Sequence, residues 1–139
     1  MLSRVLVALD GSEMAEKGLR YALEAHDDAE ITVLTVVGEP SAMFGTATAI
    51  ALSDDPDQSA QDFAEPVLER ARSIAREYDR EVETEIRTGH PARAIIEHAE
   101  GYDAVIVGSH AGSVADRLIL GNVAERVSRR SPVPVTIVR

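Results

Sequence analysis

The chain has 139 residues, 45% of them hydrophobic, which suits one domain over residues 1–139 with a sizeable buried core. Its 24 Asp and Glu against 14 Lys and Arg give a net charge of −10, which disfavours nucleic-acid backbones and anionic membranes as partners. No apolar run approaches the roughly 18 residues of a membrane span, and the absence of cysteine excludes disulfides, thiol nucleophiles and thiolate metal sites.

The opening "MLSRVLVALDGS" has one early Arg and a short apolar run, which reads as a first strand and not as a signal peptide. A cytoplasmic protein is therefore expected. Lys17 is the only lysine. Many carboxylates with almost no lysine suit a cytosol of high salt, where screening relieves self-repulsion, so a halophilic source is one expectation and an ordinary acidic protein the other.

In chain order, "RVLVALD" (residues 4–10) is an apolar run ending in Asp-Gly-Ser and reads as a buried strand. Ser12 can cap the next helix, and Glu13 and Glu16 suit its positive end. Met14, Ala15, Gly18, Leu19, Ala22 and Leu23 then recur along one helical face. "EITVLTVV" (residues 30–37) is a second apolar, β-branched strand. Residues 38–58 show no clear period and are long for a connection, and the apolar stretch 42–50 within them is a candidate lid. "SDDPD" marks a helix start, where Asp54, Asp55 and Asp57 suit a helix N-terminus better than a chelated cation. The stripe Ala60, Phe63, Ala64, Val67, Leu68, Ala71, Ile74 and Ala75 carries that helix to about Tyr78, with Pro66 expected to bend or restart it.

Residues 81–89 alternate Val82, Thr84 and Ile86 with charges, as an edge strand with one wet face does. Pro91 can open a short helix bearing Ala94, Ile95 and Ala99, with His90 before it as a candidate cap. "DAVIVGSH" (residues 103–110) is the most apolar strand, a helix bearing Val123 and Val127 follows Gly121, and "PVPVTIVR" (residues 132–139) closes the chain as a strand. Strict alternation of strand and helix predicts an α/β fold: an open five-stranded parallel sheet, helices on both faces, right-handed crossovers.

Ligands of such sheets bind beyond the carboxyl ends of the strands, where strand order reverses. In an order 3-2-1-4-5 that point lies between the first strand, ending at Ala8, Leu9 and Asp10, and the fourth, ending at Gly108, Ser109 and His110. Gly108 and Gly121 can bracket a polyphosphate, with the helix start at Asn122 and Val123 adding free N–H donors; equally, Gly108 can merely turn the chain and Gly121 merely pack closely. Asp10 can hold a nucleotide-borne Mg²⁺ or a ribose hydroxyl, or it can cap the Asp-Gly-Ser turn. His26 and His98 fall near helix ends, where a solvated role is expected. His110 lies in the candidate loop without a nucleophile to serve, and Ser109, Ser113 and Ser128 have no visible base, so no catalytic residue is assigned. A Walker loop fails for want of Gly-Lys-[Ser/Thr], a dinucleotide fingerprint for want of Gly-x-Gly-x-x-Gly after the first strand, and a phosphoacceptor receiver because Lys17 sits in the first helix.

The assembled segments resemble the universal stress protein family end to end: "RVLVALDGSEMAEKGLRYA", "TVLTVV", "TGHPARAIIEHAE" and "DAVIVGSHAG…GNVAERVSRRSPVPVTIVR". That resemblance implies a Rossmann-like, adenine nucleotide alpha hydrolase-like sheet of order 3-2-1-4-5. It also implies ATP, ADP or AMP with nucleotide-borne Mg²⁺, a regulatory stress-response role, at most slow ATP hydrolysis, and a homodimer through the last strand, Val133–Val138. The family's ATP-binding motif G-x2-G-x9-G-[S/T] places Gly108 first, Ala111 at the second glycine, and Gly121 third after residues 112–120; Asn122 replaces the Ser or Thr. Gly112 stands one place on and can take over the turn, beside Ser113. The family's adenine and ribose contacts fall on Ala8, Asp10 and Val36. The two departures from the motif leave a ligand-free interaction or chaperone-like module on the same fold as the alternative. The edge-like "VPVTIV" gives the dimer its own physical argument, since an exposed apolar edge pairs with another chain unless it is covered.

Overall fold

In a computed structural model, residues 2–38, 56–109 and 120–139 are described. The elements run β1 (Arg4–Ala8), α1 (Glu13–Ala25), β2 (Glu30–Val37), α2 (Pro56–Glu77), β3 (Glu83–Thr88), α3 (Pro91–Ala99), β4 (Ala104–Gly108), α4 (Asn122–Arg130) and β5 (Val135–Val138). The strands form one sheet in the order β3-β2-β1-β4-β5, and every neighbouring pair is parallel, as the alternation predicts.

Two cores flank the sheet. On one face, Val5, Val7, Ile31, Val33 and Ile106 meet Leu19 and Leu23 of α1 and Leu68 and Ile74 of α2. On the other, Leu6, Leu34, Val105 and Val107 meet Ile95 of α3 and Val127 of α4. The central strands β1, β2 and β4 are therefore apolar on both sides, as buried parallel strands must be.

β2 spans Glu30–Val37 as expected, whereas the other four strands are shorter at their ends than the sequence suggests. β1 stops at Ala8 because the Asp-Gly-Ser turn follows, with Gly11 at φ +87°, a left-handed conformation that suits glycine. β5 begins at Val135 because Pro132 and Pro134 have no N–H to place in the ladder. β3, expected over residues 81–89, spans Glu83–Thr88 at the sheet edge, and β4 ends at Gly108, two residues before His110.

The helices repay closer reading. In α1 the Ser12 hydroxyl accepts the Ala15 N–H at 3.1 Å, Glu13 and Glu16 occupy the first turn, and the buried residues are the six of the expected stripe. α2 runs unbroken from Pro56 to Glu77, so Pro66 does not restart it; the ring lies on the solvent side, where the lost backbone bond disturbs no packing. The expected caps Asp54 and Asp55 and the candidate lid 42–50 lie outside the described residues.

α2 ends in a Schellman turn: Arg80 N–H donates to Ala75 O at 3.0 Å and Asp79 N–H to Arg76 O at 3.1 Å, with Asp79 at φ +55°. This turn sends Arg80 back beneath the C-terminus of α1, which has no basic residue in its own last turn. The Arg80 guanidinium donates to Leu23 O and His26 O, both at 3.1 Å, and to Ala29 O. One cation thus satisfies the end of α1 and the turn into β2 together.

At the amino ends of the strands, Asp103 accepts the backbone N–H groups of Ser3 and Arg4, each at 2.9 Å, which ties β1 to the start of β4. Those two donors hold its carboxyl below the ordinary aspartate range. His98 is not simply solvated: it is half-buried, stacks on Tyr102 with ring centroids 5.6 Å apart, and is pushed below the usual histidine range by burial and then by the Arg87 guanidinium.

Candidate functional site

The strand order reverses between β1 and β4. From β1 the chain leaves over one face through α1 to β2; from β4 it leaves over the other through α4 to β5. The carboxyl ends of two strands that leave over opposite faces are where open parallel sheets bind ligands in a crevice.

On the β1 side, the Asp10 carboxylate accepts the Ser12 N–H at 2.9 Å, so the capping role weighed for Asp10 is present, and the side chain is exposed. Leu9 is turned away: its side chain is buried in the α1–α2 core, its N–H donates to Leu34 O at 2.9 Å, and its carbonyl accepts the Thr35 hydroxyl at 3.0 Å. Ala8 and Val36 are half-buried, and both pack against the α3–α4 core. They form an apolar pair at the ends of β1 and β2.

On the β4 side, Gly108 does not turn the chain. It is the last residue of the strand and is in register with Val138. A Cβ there would lie 3.0 Å from Met14 Cγ, 3.1 Å from Met14 C and 3.2 Å from Ala15 N, so this glycine lets the first turn of α1 lie directly on β4. Ser109 is buried; its N–H donates to Val138 O at 2.8 Å. Its carbonyl accepts the Gly121 N–H at 2.7 Å. That bond brings the start of α4 back to the end of β4 across the intervening segment, residues 110–120. His110, Ala111, Gly112 and Ser113 belong to that segment and lie outside the described residues.

Gly121 is the N-cap of α4, at φ −65° and ψ 154°, and no side chain caps the helix. Asn122 is the first helical residue, so it neither caps the helix nor takes the left-handed conformation that would favour Asn. α1 differs, since its own Ser12 occupies its positive end. The N-terminus of α4 instead presents its first N–H groups without a side-chain acceptor among the described residues, next to exposed Asn122 and Val123. Among the described residues no group of three or more His, Asp or Glu is placed to hold a metal.

Sequence reasoning overlooked Arg126 and read His90 only as a candidate helix cap. His90 occupies the N-cap position of α3, yet its ring makes no cap; its Nε2 lies 2.9 Å from Arg126 Nη1. The available signal was the spacing of Arg126, Arg129 and Arg130, three of only 14 basic residues, on one stripe of the helix that follows the candidate loop. Among the described residues no helix is long and apolar enough to cross a membrane.

Known proteins resemble the chain throughout its length. The universal stress protein YxiE of Bacillus subtilis (strain 168) is 33% identical over 148 residues, covering 100% of both chains. A solved universal stress protein in complex with cAMP superposes with a TM-score of 0.69 at 24% identity, covering 99% of this chain and 97% of the other. The universal stress protein of Archaeoglobus fulgidus in complex with dAMP gives a TM-score of 0.68 at 20% identity, covering 100% and 98%. A family model described as the universal stress protein family matches residues 1–139, and the chain belongs to that family.

Proposed function

We propose that this protein is a cytoplasmic stress-response or regulatory protein that binds an adenine nucleotide in the crevice between β1 and β4. The observation that carries the reading is the Ser109–Gly121 closure, which holds the uncapped N-terminus of α4 beside the reversal of strand order. Ala8 and Val36 supply an apolar surface for the base. Asp10 uses Oδ1 for the turn, which leaves Oδ2 to accept a ribose hydroxyl. The dihedrals of Gly121 suit any residue, so its value there is the missing Cβ, which lets a phosphate approach the backbone. The N–H groups of Asn122 and Val123 face that phosphate, and the segment from Ser109 through His110, Ala111, Gly112 and Ser113 completes the cradle. The neighbours crystallised with cAMP and dAMP support an adenine nucleotide as the ligand class.

Mg²⁺ in this reading arrives on the phosphates of ATP, with Asp10 as its nearest carboxylate. No side chain is assigned as a catalytic base, so hydrolysis is at most slow. Native mass spectrometry of gently purified protein should show a mass increment matching AMP, ADP or ATP, or acquire one after incubation with the nucleotide. Protein that stays empty at saturating nucleotide would favour the ligand-free interaction module. Replacing Ala111 by glycine restores the second glycine of the family motif and should strengthen binding if that position limits it.

The dimer is part of the same proposal. β5 is an edge strand whose four residues are only half-buried, a surface that antiparallel pairing of Val133–Val138 with a second copy would cover. Sedimentation should give a dimer, and one that tightens in molar KCl if the −10 charge reflects a halophilic setting. A monomer in both low and high salt would contradict the pairing.

A further inference from the structure

A cleft of about 510 Å³ opens between the N-terminus of α3 and the exposed stripe of α4. Its polar lining is His90, Asn122, Glu125, Arg126, Arg129 and Arg130. Its charge is opposite to that of the molecule: three of the 14 Lys and Arg meet here with one of the 24 Asp and Glu, in a chain of net charge −10. Arg129 is held by Glu125 at 3.0 Å, whereas Arg126 and Arg130 have no carboxylate partner among the described residues. A solvated helix face in so acidic a protein would be expected to pair its arginines, as Arg20, Arg70, Arg72 and Arg76 are paired on α1 and α2. Arg126 instead lies against an imidazole, its Nη1 2.9 Å from His90 Nε2, a contact that orients the guanidinium without supplying a carboxylate to cancel its charge.

The cleft reaches the N-terminus of α4, because Asn122 and Val123 line it. Arg126 lies about one helical turn, roughly 6 Å along the axis, beyond Asn122. A phosphate chain whose first group rests on the α4 N-terminus would reach Arg126 with its next groups, with Arg130 one turn further on. We infer that this cleft is the seat of the terminal phosphates of the bound nucleotide, so that the protein selects nucleoside di- and triphosphates over monophosphates. The inference rests on the proposed nucleotide reading for the base and ribose, but the cleft's own chemistry is recognition of a condensed phosphate.

Calorimetric titration at low salt with AMP, ATP and inorganic tripolyphosphate separates the two. The proteins compared are the wild type, Arg126→Gln/Arg130→Gln and Arg126→Lys, each checked for native circular dichroism. The wild type should bind ATP more tightly than AMP and should bind tripolyphosphate. The double variant should lose about tenfold or more for ATP and tripolyphosphate, the scale of a charge-assisted contact, with AMP unchanged. Arg126→Lys, which keeps the charge, should retain part of the preference. If AMP binds while tripolyphosphate does not, or if the ATP-to-AMP ratio survives in the double variant, the subsite is wrong and the nucleotide reading stands. If tripolyphosphate binds through the arginines and ATP binds no more tightly than tripolyphosphate, with AMP failing, the subsite stands and the nucleotide reading falls. Failure of all three ligands overturns both.

Discussion

Replacing Gly108 by valine should destabilise the protein by about 3 kcal/mol, the upper part of the range for overpacking a filled core. The Cβ alone would sit 3.0 Å from Met14 Cγ, and that flexible side chain can move. It would also sit 3.1 Å from Met14 C and 3.2 Å from Ala15 N, which are backbone atoms in the first turn of α1. Relief therefore requires α1 to lift from β4, and α1 is anchored there by the Ser12 cap and the Asp10 turn. The γ-methyls of valine worsen the conflict, so alanine at the same position should cost less, about 1 kcal/mol. Urea unfolding should show the midpoint falling with the slope retained. The same displacement moves Asp10 away from the crevice, so nucleotide binding should weaken in parallel. A valine variant with an unchanged midpoint would mean that α1 does not rest on β4 as described.

Replacing Arg80 by methionine should cost about 2–3 kcal/mol. The aliphatic bulk is kept, but three carbonyls lose a charged donor: Leu23 O, His26 O and Ala29 O. Hydrogen bonds to charged groups contribute roughly 1.5–3 kcal/mol each, and the sum is discounted because water can reach this half-buried site. Lysine should recover only part of the loss, since one ammonium cannot span carbonyls in the last turn, the cap and the following turn as a planar fork does. A loss within about 0.5 kcal/mol, the range of an ordinary surface substitution, would show that water serves these carbonyls as well.

These two residues mark where the sequence stops being legible. The α1 stripe, the Ser12 cap, the parallel sheet and the edge position of β3 follow from local pattern, since period, capping chemistry and alternation each constrain residues close in the chain, whereas the strand order came with the family resemblance. Gly108 could be read as a glycine near a strand end, and both a phosphate cradle and a turn were consistent with it. Its actual contact is with Met14 and Ala15, more than 90 positions away, and nothing local reports such an approach. Arg80 reaches carbonyls 51 to 57 residues distant, and its aim depends on the left-handed Asp79, which reads as an ordinary acidic residue. Pro66 misleads in the other direction, because the cost of a helical proline depends on which side of the helix it faces.

The site divides along the same line. The reversal of strand order between β1 and β4 was legible through the family resemblance, which implies the order 3-2-1-4-5 that the sheet shows. The free N-terminus of α4 was legible in outline as a glycine followed by a helix. The arginine cleft beside it was not, since it needs His90 and Arg126, 36 residues apart, to meet across two helices. Membership of the universal stress protein family accounts for the framework. It leaves to this chain's own residues the question of whether a motif with Ala111 and Asn122 still closes around a phosphate.

Calorimetric titration of the wild-type protein with Mg-ATP tests the central claim most directly. The account predicts saturable binding of one nucleotide per chain; the absence of binding heat across several temperatures, with no rise in the unfolding midpoint at saturating nucleotide, would contradict it.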